Sequence, residues 1–165
     1  MKSLTLRTAA ALLALNGHFA MAQDACPPVT AEAMVRQIFP VTTETGIWEV
    51  RAEAGACGFD IHLDQAVDAK TGPRQLLALL NRKWPAPGVA LRAVRDNTVY
   101  LKVRDDELLT QRLGSTGALL YLATVTFSLT SLPGIDRVHF SFSEGDHAQP
   151  GYYSRASFVR SLFFP

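Results

Sequence analysis

The sequence predicts an α+β fold with one sheet and two helices packed on the same face of it. Short segments in which apolar and polar residues alternate, the pattern of half-buried strands, recur from Phe59 onward. Two longer segments have helical character, and each ends at a proline. The resulting order from Phe59 is β-α-β-β-α-β, the order of ferredoxin-like folds, in which both helices cover one sheet face.

An N-terminal extension of one helix and one strand is expected before this unit. Thr30 is a suitable N-cap for a short helix from Ala31 to Phe39, which Pro40 ends. A strand from Ile47 to Arg51 follows. Because the two later helices are expected on one face of the sheet, this extension is a candidate to cover the other face.

The first half of the unit comprises a strand, a helix and a hairpin. After the strand around Phe59 to Leu63, a helix begins at Pro73, a residue favoured in the first helical turn, and ends before Pro85. One face of this helix is apolar and carries Leu76, Leu77, Leu80 and Trp84. The next two strands, Val89 to Ala93 and Val99 to Val103, are expected to pair through the turn Asp96-Asn97.

The second half is a helix followed by a strand. The segment from Ser115 to Leu132 is apolar on nearly every side, which predicts a deeply buried helix. Ser115 is the expected N-cap, and Leu132-Pro133-Gly134 ends the helix. In the last strand, three apolar residues alternate with His139, Ser141 and Ser143.

The stretch from Val99 to Gly145 also resembles a known family. A strand, then Gly114-Ser115 opening an apolar helix, then Leu129 to Val138 (LTSLPGIDRV) leading into a strand, is similar to the GerMN (sporulation and spore germination) domain of bacterial envelope proteins. The likeness covers Ile61 to Phe158. It implies a ring-building type of α/β architecture and a non-enzymatic assembly role in an exported or membrane-anchored protein, and it transfers no catalytic residue.

Residues 1–22 have the features of a secretory signal peptide. Lys2 and Arg7 precede an apolar run from Ala9 to Leu15, and Ala20-Met21-Ala22 matches the small-x-small cleavage pattern. Cleavage after Ala22 would place the protein in the periplasm or outside the cell, with no membrane span in the mature chain. The predicted organisation is a signal peptide (1–22), the N-terminal extension (23–58) and a GerMN-like α+β domain with an aromatic C-terminal tail (59–165).

The two cysteines, Cys26 and Cys57, both lie in the predicted mature chain. In an oxidising compartment an even pair is most simply a disulfide, which would tie the extension to the domain and add about 3 to 4 kcal/mol of stability. Metal-binding or redox thiols are the alternative, but the sequence has no Cys-x-x-Cys pattern and no histidine at ligand spacing beside either cysteine.

The charge composition excludes a nucleic-acid-binding surface. The chain has 16 Lys and Arg against 15 Asp and Glu, and the basic residues are scattered among acids. No motif indicates a cofactor. The loop residues Glu144, Asp146 and His147, with His139 upstream, offer metal-ligand atoms, but no fourth ligand has suitable spacing, and the loop residues are interpreted as solvated turn residues. The expected partners are an envelope protein or a second copy of the chain.

Strand alternation places a set of polar and aromatic residues on the sheet face opposite the helices. This predicted binding face consists of Asp60, His62, Tyr100, Lys102, Arg104, Arg137, His139 and Ser141. An ordinary solvated face of an antiparallel sheet is the alternative interpretation. The aromatic tail from Tyr152 to Pro165 is expected to dock as an extra strand or helix, and if exposed it would be a second partner site.

Together these features predict an exported, non-catalytic interaction or assembly module of the bacterial cell envelope. The alternative is a small periplasmic hydrolase or an enzyme inhibitor that uses His62 and His139 on the open sheet face. A titratable group with a strongly shifted pKa in a pocket would favour the enzyme, whereas a broad open face would favour assembly.

Overall fold

The computed structural model describes residues 44–52 and 59–163. The predicted signal peptide, the helix from Ala31 to Phe39, and both Cys26 and Cys57 lie outside these residues. Cleavage after Ala22 and the disulfide therefore stay predictions.

The α+β class is confirmed. The described chain forms two sheets, one of two strands and one of four. The strands are β1 (Gly46–Ala52), β2 (Phe59–Ala66), β3 (Val89–Arg95), β4 (Thr98–Val103), β5 (Arg137–Ser141) and β6 (Gly151–Tyr153). The helices are α1 (Pro73–Lys83), a π-helix (Leu108–Arg112), α2 (Gly114–Leu129), a 3-10 helix (Arg155–Phe158) and α3 (Val159–Phe163). None of the helices described here has the length and apolar character needed to span a membrane.

The prediction of a single sheet is wrong, although the elements follow one another along the chain as expected. β2 pairs antiparallel with β1 in the two-stranded sheet. The other sheet has the order β3-β4-β5-β6, with β4 and β5 directly adjacent and parallel. In a ferredoxin-like sheet the strand equivalent to β2 would lie inside that sheet. Here β1 provides β2 with a neighbouring antiparallel partner, and the two strands form their own sheet.

The hairpin and its turn are as predicted. Asp96 and Asn97 have φ angles of 50° and 56°, the left-handed conformation that a two-residue type I′ turn requires and that Asp and Asn tolerate. After β4 the chain crosses through α2 and returns as β5, parallel to β4. Apolar side chains of β4 and β5 on the face toward α2, such as Leu101 and Phe140, are almost fully buried.

The central helix α2 is as buried as its sequence predicts, but it begins differently. Leu113 occupies the N-cap position, so the prediction of Ser115 as N-cap is wrong, and Ser115 lies inside the first turn. The chain enters α2 directly from the π-helix through Gly114, whose φ of +68° favours glycine. Every residue from Tyr121 to Leu129 is buried.

One edge of β1 is closed by side chains of α2 and not by another strand. Hydroxyl groups on α2 and the turn after it accept hydrogen bonds from alternate backbone N–H groups of β1. We call this the hydroxyl ladder: Thr124 accepts from Val50 at 3.1 Å, Ser128 from Trp48 at 2.9 Å, and Ser131 from Gly46 at 3.0 Å. The hydroxyls, three or four residues apart along the chain, thus lie opposite N–H groups two residues apart along the strand. Each of these N–H groups has a hydrogen-bond acceptor although no neighbouring strand in the described chain supplies one.

The C-terminal tail docks onto the domain, as predicted. Its first residues form β6 against β5, and Phe158 and Leu162 are buried in the core. Arg155 reaches the carboxyl end of α2, where it donates to Thr130 Oγ1 at 2.9 Å and to the Phe127 carbonyl at 3.1 Å. A cation at this end of a helix is favoured by the helix dipole.

Candidate functional site

Three rings lie side by side on the face of the four-stranded sheet that points away from α2, which we call the outer face. Tyr100, His139 and Tyr152 occupy matching positions on β4, β5 and β6. The ring centroids of Tyr100 and His139 are 5.3 Å apart, and those of His139 and Tyr152 are 4.6 Å apart. We call these residues the aromatic row. Tyr152 is 56% exposed and the other two are half-buried, so the row forms part of the surface of the described chain.

Two arginines flank the aromatic row from the neighbouring register position. Arg95, Thr98 and Arg137 are paired across β3, β4 and β5. The guanidinium carbon of Arg95 lies 4.6 Å from the ring centroid of Tyr100, and that of Arg137 lies 5.3 Å from the ring centroid of Tyr152. Arg137 Nε also donates to Thr98 Oγ1 at 2.8 Å, which fixes the direction of the side chain.

The pKa values of the two tyrosines in the aromatic row are shifted by their interaction with each other and with Arg95. The pKa of Tyr100 is lowered, first by hydrogen bonding with the Tyr152 hydroxyl and then by Arg95. The pKa of Tyr152 is raised, chiefly by the same interaction with Tyr100. The two phenols therefore act as a coupled pair in which Tyr100 is the stronger acid.

Lys102 and Ser141 form the next pair on the outer face, as predicted. Lys102 Nζ lies 3.1 Å from Asp106 Oδ2. Burial raises the pKa of Asp106, but the hydrogen bond from the Ser143 N–H and the contact with Lys102 outweigh burial and leave it lowered. The charge of Lys102 is therefore already balanced, unlike the charges of the two arginines.

Three of the eight residues predicted for the binding face lie elsewhere. Asp60 and His62 are on β2 of the two-stranded sheet, where His62 Nδ1 lies 2.6 Å from Asp60 Oδ2. Arg104 lies beyond the end of β4, where its N–H donates to the Gly88 carbonyl at 3.0 Å and its charge acts on the hydroxyl of Tyr121 on α2. Alternation assigned each residue a side of its own strand, but it could not show that β2 belongs to another sheet.

Asp60 and His62 belong to a charged cluster on the two-stranded sheet. Ligand atoms of Glu49, His62 and Asp64 lie within 4.8 Å of one another, a set that could hold a metal ion. Lys83 Nζ, however, contacts Glu49 at 2.9 Å and Asp64 at 2.6 Å, and Arg51 contacts Glu49 at 2.6 Å. Arg51 and Lys83 lower the pKa of Glu49 to about 2. These cations already neutralise the carboxylates, and a metal ion would have to displace Lys83.

Two cavities open on other parts of the described surface. One, of about 540 Å³, lies at the start of α2, and in it Ser115 Oγ lies 3.1 Å from His147 Nδ1. The other, of about 530 Å³, lies between β1 and α2 and is lined by Trp84, Leu120 and Tyr121 among others. Among the described residues, His139 and His147 do not form a cluster of metal-ligand atoms with Glu144 and Asp146.

Sequence reasoning missed two members of the candidate site. Arg95 was not assigned to the face, although it precedes the hairpin turn and pairs with Thr98. Tyr152 was predicted only as part of the aromatic tail, because a strand of three residues is too short for its pattern to indicate that it pairs with β5. Comparison with known proteins found no matching family model, no similar curated protein and no similar solved structure.

Proposed function

We propose that the protein is an exported, non-catalytic interaction module of the bacterial cell envelope that binds a partner through its outer face. The observation that supports the binding role is the aromatic row flanked by two arginines. Tyr and Arg are the residue types that contribute most often to the energy of protein interfaces. The predicted signal peptide and the resemblance to GerMN domains support the envelope location and the assembly role.

The geometry of the outer face suits recognition. Its side chains project from neighbouring strands, so their positions are fixed by backbone hydrogen bonds and not by a mobile loop. The rings of the row support one another through edge contacts, with Tyr152 and His139 inclined at 67° and Tyr152 and Tyr100 at 81°. A partner would thus meet rings and guanidinium groups that lose little conformational freedom on binding.

Site-specific photo-cross-linking in cells tests this proposal. A photoreactive phenylalanine analogue at Tyr152 should cross-link one partner, while the same analogue at Ala78, an exposed residue of α1, should not. The double variant Tyr100→Ala/His139→Ala should weaken that cross-link. Equal cross-linking from both positions, or a cross-link unaffected by the double variant, would reject the outer face as the binding surface.

A hydrolase remains the second candidate, with a changed site. His62 and His139 lie on different sheets, so they do not share one open sheet face as the sequence suggested. The contact between Ser115 and His147 in the first cavity favours this candidate instead. Ser115 Oγ would attack an acyl carbonyl while His147 Nδ1 takes its proton and passes it to the leaving group, and water would then release the acyl group.

A fluorophosphonate probe distinguishes the hydrolase from the binding module. Covalent labelling that Ser115→Ala and His147→Gln abolish, and that Ser157→Ala in the same cavity leaves intact, would establish a nucleophilic serine and reject the non-catalytic proposal. Labelling that is absent, or equal in all variants, would reject the hydrolase.

A further inference from the structure

The two arginines of the outer face, unlike Lys102, are not neutralised within the described parts of the chain. Neither Arg95 nor Arg137 forms an ion pair with any residue there. The nearby Asp136 accepts a hydrogen bond from Asn97 Nδ2 at 3.0 Å. Asp96, in the hairpin turn, affects Arg95 only as one of the weaker influences on its pKa. Among the described residues, the two guanidinium groups therefore have no carboxylate partner, and carboxylates of another molecule could pair with them.

The rings of the row are poorly placed to stack on a flat ligand. The Arg95 guanidinium covers one face of the Tyr100 ring, and the Arg137 guanidinium covers one face of the Tyr152 ring. His139 meets the Tyr152 ring at 67° and so offers no platform coplanar with it. Recognition of bases by stacking needs free, accessible ring faces. What the surface offers instead is guanidinium N–H groups and phenol hydroxyls, which are hydrogen-bond donors.

A second copy of the chain is also a poor occupant. A contact between two outer faces would bury the arginines without supplying free carboxylates, because Asp106 already pairs with Lys102, and burying cations without counter-charges is costly. Carboxylates, in contrast, form charge-assisted and often bidentate hydrogen bonds with guanidinium groups.

We infer that the outer face binds an acidic segment of a partner polypeptide, with carboxylates on Arg95 and Arg137. The two arginines lie in one row on β3 and β5, two strands and therefore about 10 Å apart at their Cα atoms. In an extended peptide, side chains on one face repeat about every 7 Å, a spacing that two long arginine side chains can accommodate. The inference rests on the proposed function and specifies the chemistry of the partner.

Binding of short synthetic peptides to the mature chain, followed by fluorescence anisotropy at low salt, tests the inference. The probe is an unstructured peptide in which Glu alternates with Ser, and its control has Gln in place of Glu. The protein should bind the Glu peptide, and added salt should weaken that binding. Arg95→Gln and Arg137→Gln should each weaken it about tenfold, the effect of losing one charge-assisted hydrogen bond. Arg112→Gln, an exposed arginine at the end of the π-helix, is the matched control and should have no effect.

Additional measurements distinguish a failure of this inference from a failure of the proposed function. Because Arg137 also binds Thr98, each variant is checked by its melting temperature, and Arg137→Lys, which keeps the charge, should recover part of the affinity. Equal binding of Glu and Gln peptides, unchanged binding by both arginine variants, or tighter arginine-dependent binding of single-stranded DNA would overturn the inference. If the cellular cross-link from Tyr152 persists in the arginine variants but is lost in Tyr100→Ala/His139→Ala, the proposed function stands and only the acidic partner is rejected.

Discussion

The two sheets of this protein differ in whether their key charged groups have ionic partners within the described chain. On the two-stranded sheet, Glu49 contacts both Arg51 and Lys83, and the free edge of β1 is closed by the hydroxyl ladder. On the four-stranded sheet, Arg95 and Arg137 lie over aromatic rings of the outer face and have no ion-pair partner in the described chain.

This difference separates groups that stabilise the fold from groups available for binding. Charges and backbone groups whose partners are already present contribute to folding, and little remains for a ligand to satisfy. Cations that contact only rings and neutral hydroxyl groups keep most of their capacity to form charge-assisted hydrogen bonds. The comparison therefore supports the proposal that the two-stranded sheet is part of the scaffold and that the four-stranded sheet carries the binding surface.

The largest expected effect concerns the helix that supports both sheets. Leu122 of α2 is 3% exposed, so Leu122→Ala should lower the free energy of unfolding by about 2 to 5 kcal/mol through lost burial and a cavity. Leu119→Ala, at a half-buried position of the same helix, should cost less. Chemical denaturation measures both. An unchanged stability of Leu122→Ala would show that α2 is not the common core.

Substitutions in the hydroxyl ladder test whether hydrogen bonds from α2 stabilise the edge of β1. Ser128→Ala should cost about 1 to 3 kcal/mol, because it leaves the buried Trp48 N–H without an acceptor. Thr126 is equally buried on α2, but its Oγ1 has no hydrogen-bond partner in the described chain. Thr126→Val keeps the shape and should be neutral or stabilising. A comparable loss in both variants would mean that packing, not hydrogen bonding, closes this edge.

Acid should weaken the two-stranded sheet through protonation of Glu49. The pKa of Glu49 is lowered from 4.5 to about 2, mainly by Arg51 and also by Lys83. A carboxyl group with a lowered pKa stabilises the folded state above its unfolded value, and this contribution is lost as the pH falls from about 4.5 to 2. Glu49→Gln should flatten the dependence of the unfolding free energy on pH in that range. An unchanged dependence would show that the cluster contributes nothing to folding.

The smallest effect on stability is expected on the outer face. Tyr100 and His139 project away from the core, and such surface substitutions shift stability by about 0.5 kcal/mol each. The variant Tyr100→Ala/His139→Ala should therefore melt close to the wild-type temperature while losing partner contact. Unfolding of this double variant would contradict the assignment and show that the face is part of a covered core.

Local pattern was enough to predict most elements of the described chain. Alternation identified the strands, Pro73 and the apolar face located α1, and Asp96-Asn97 predicted the hairpin turn. Each of these signals lies within a few residues of the structure it specifies. The start of α2 was misassigned because the π-helix before it carries no comparable signal and places Ser115 two residues beyond the N-cap position.

The sequence by itself determined which residues form strands and helices and which side of its own strand each residue occupies. Only the tertiary structure decided which strands share a sheet, because pairing between distant segments depends on the packing of the whole chain and leaves no local pattern. Because of this strand pairing, Asp60 and His62 lie outside the candidate site, and Arg95 and Tyr152 lie within it. The tertiary structure also set the hydroxyls of α2 opposite the N–H groups of β1, a contact between residues about eighty positions apart.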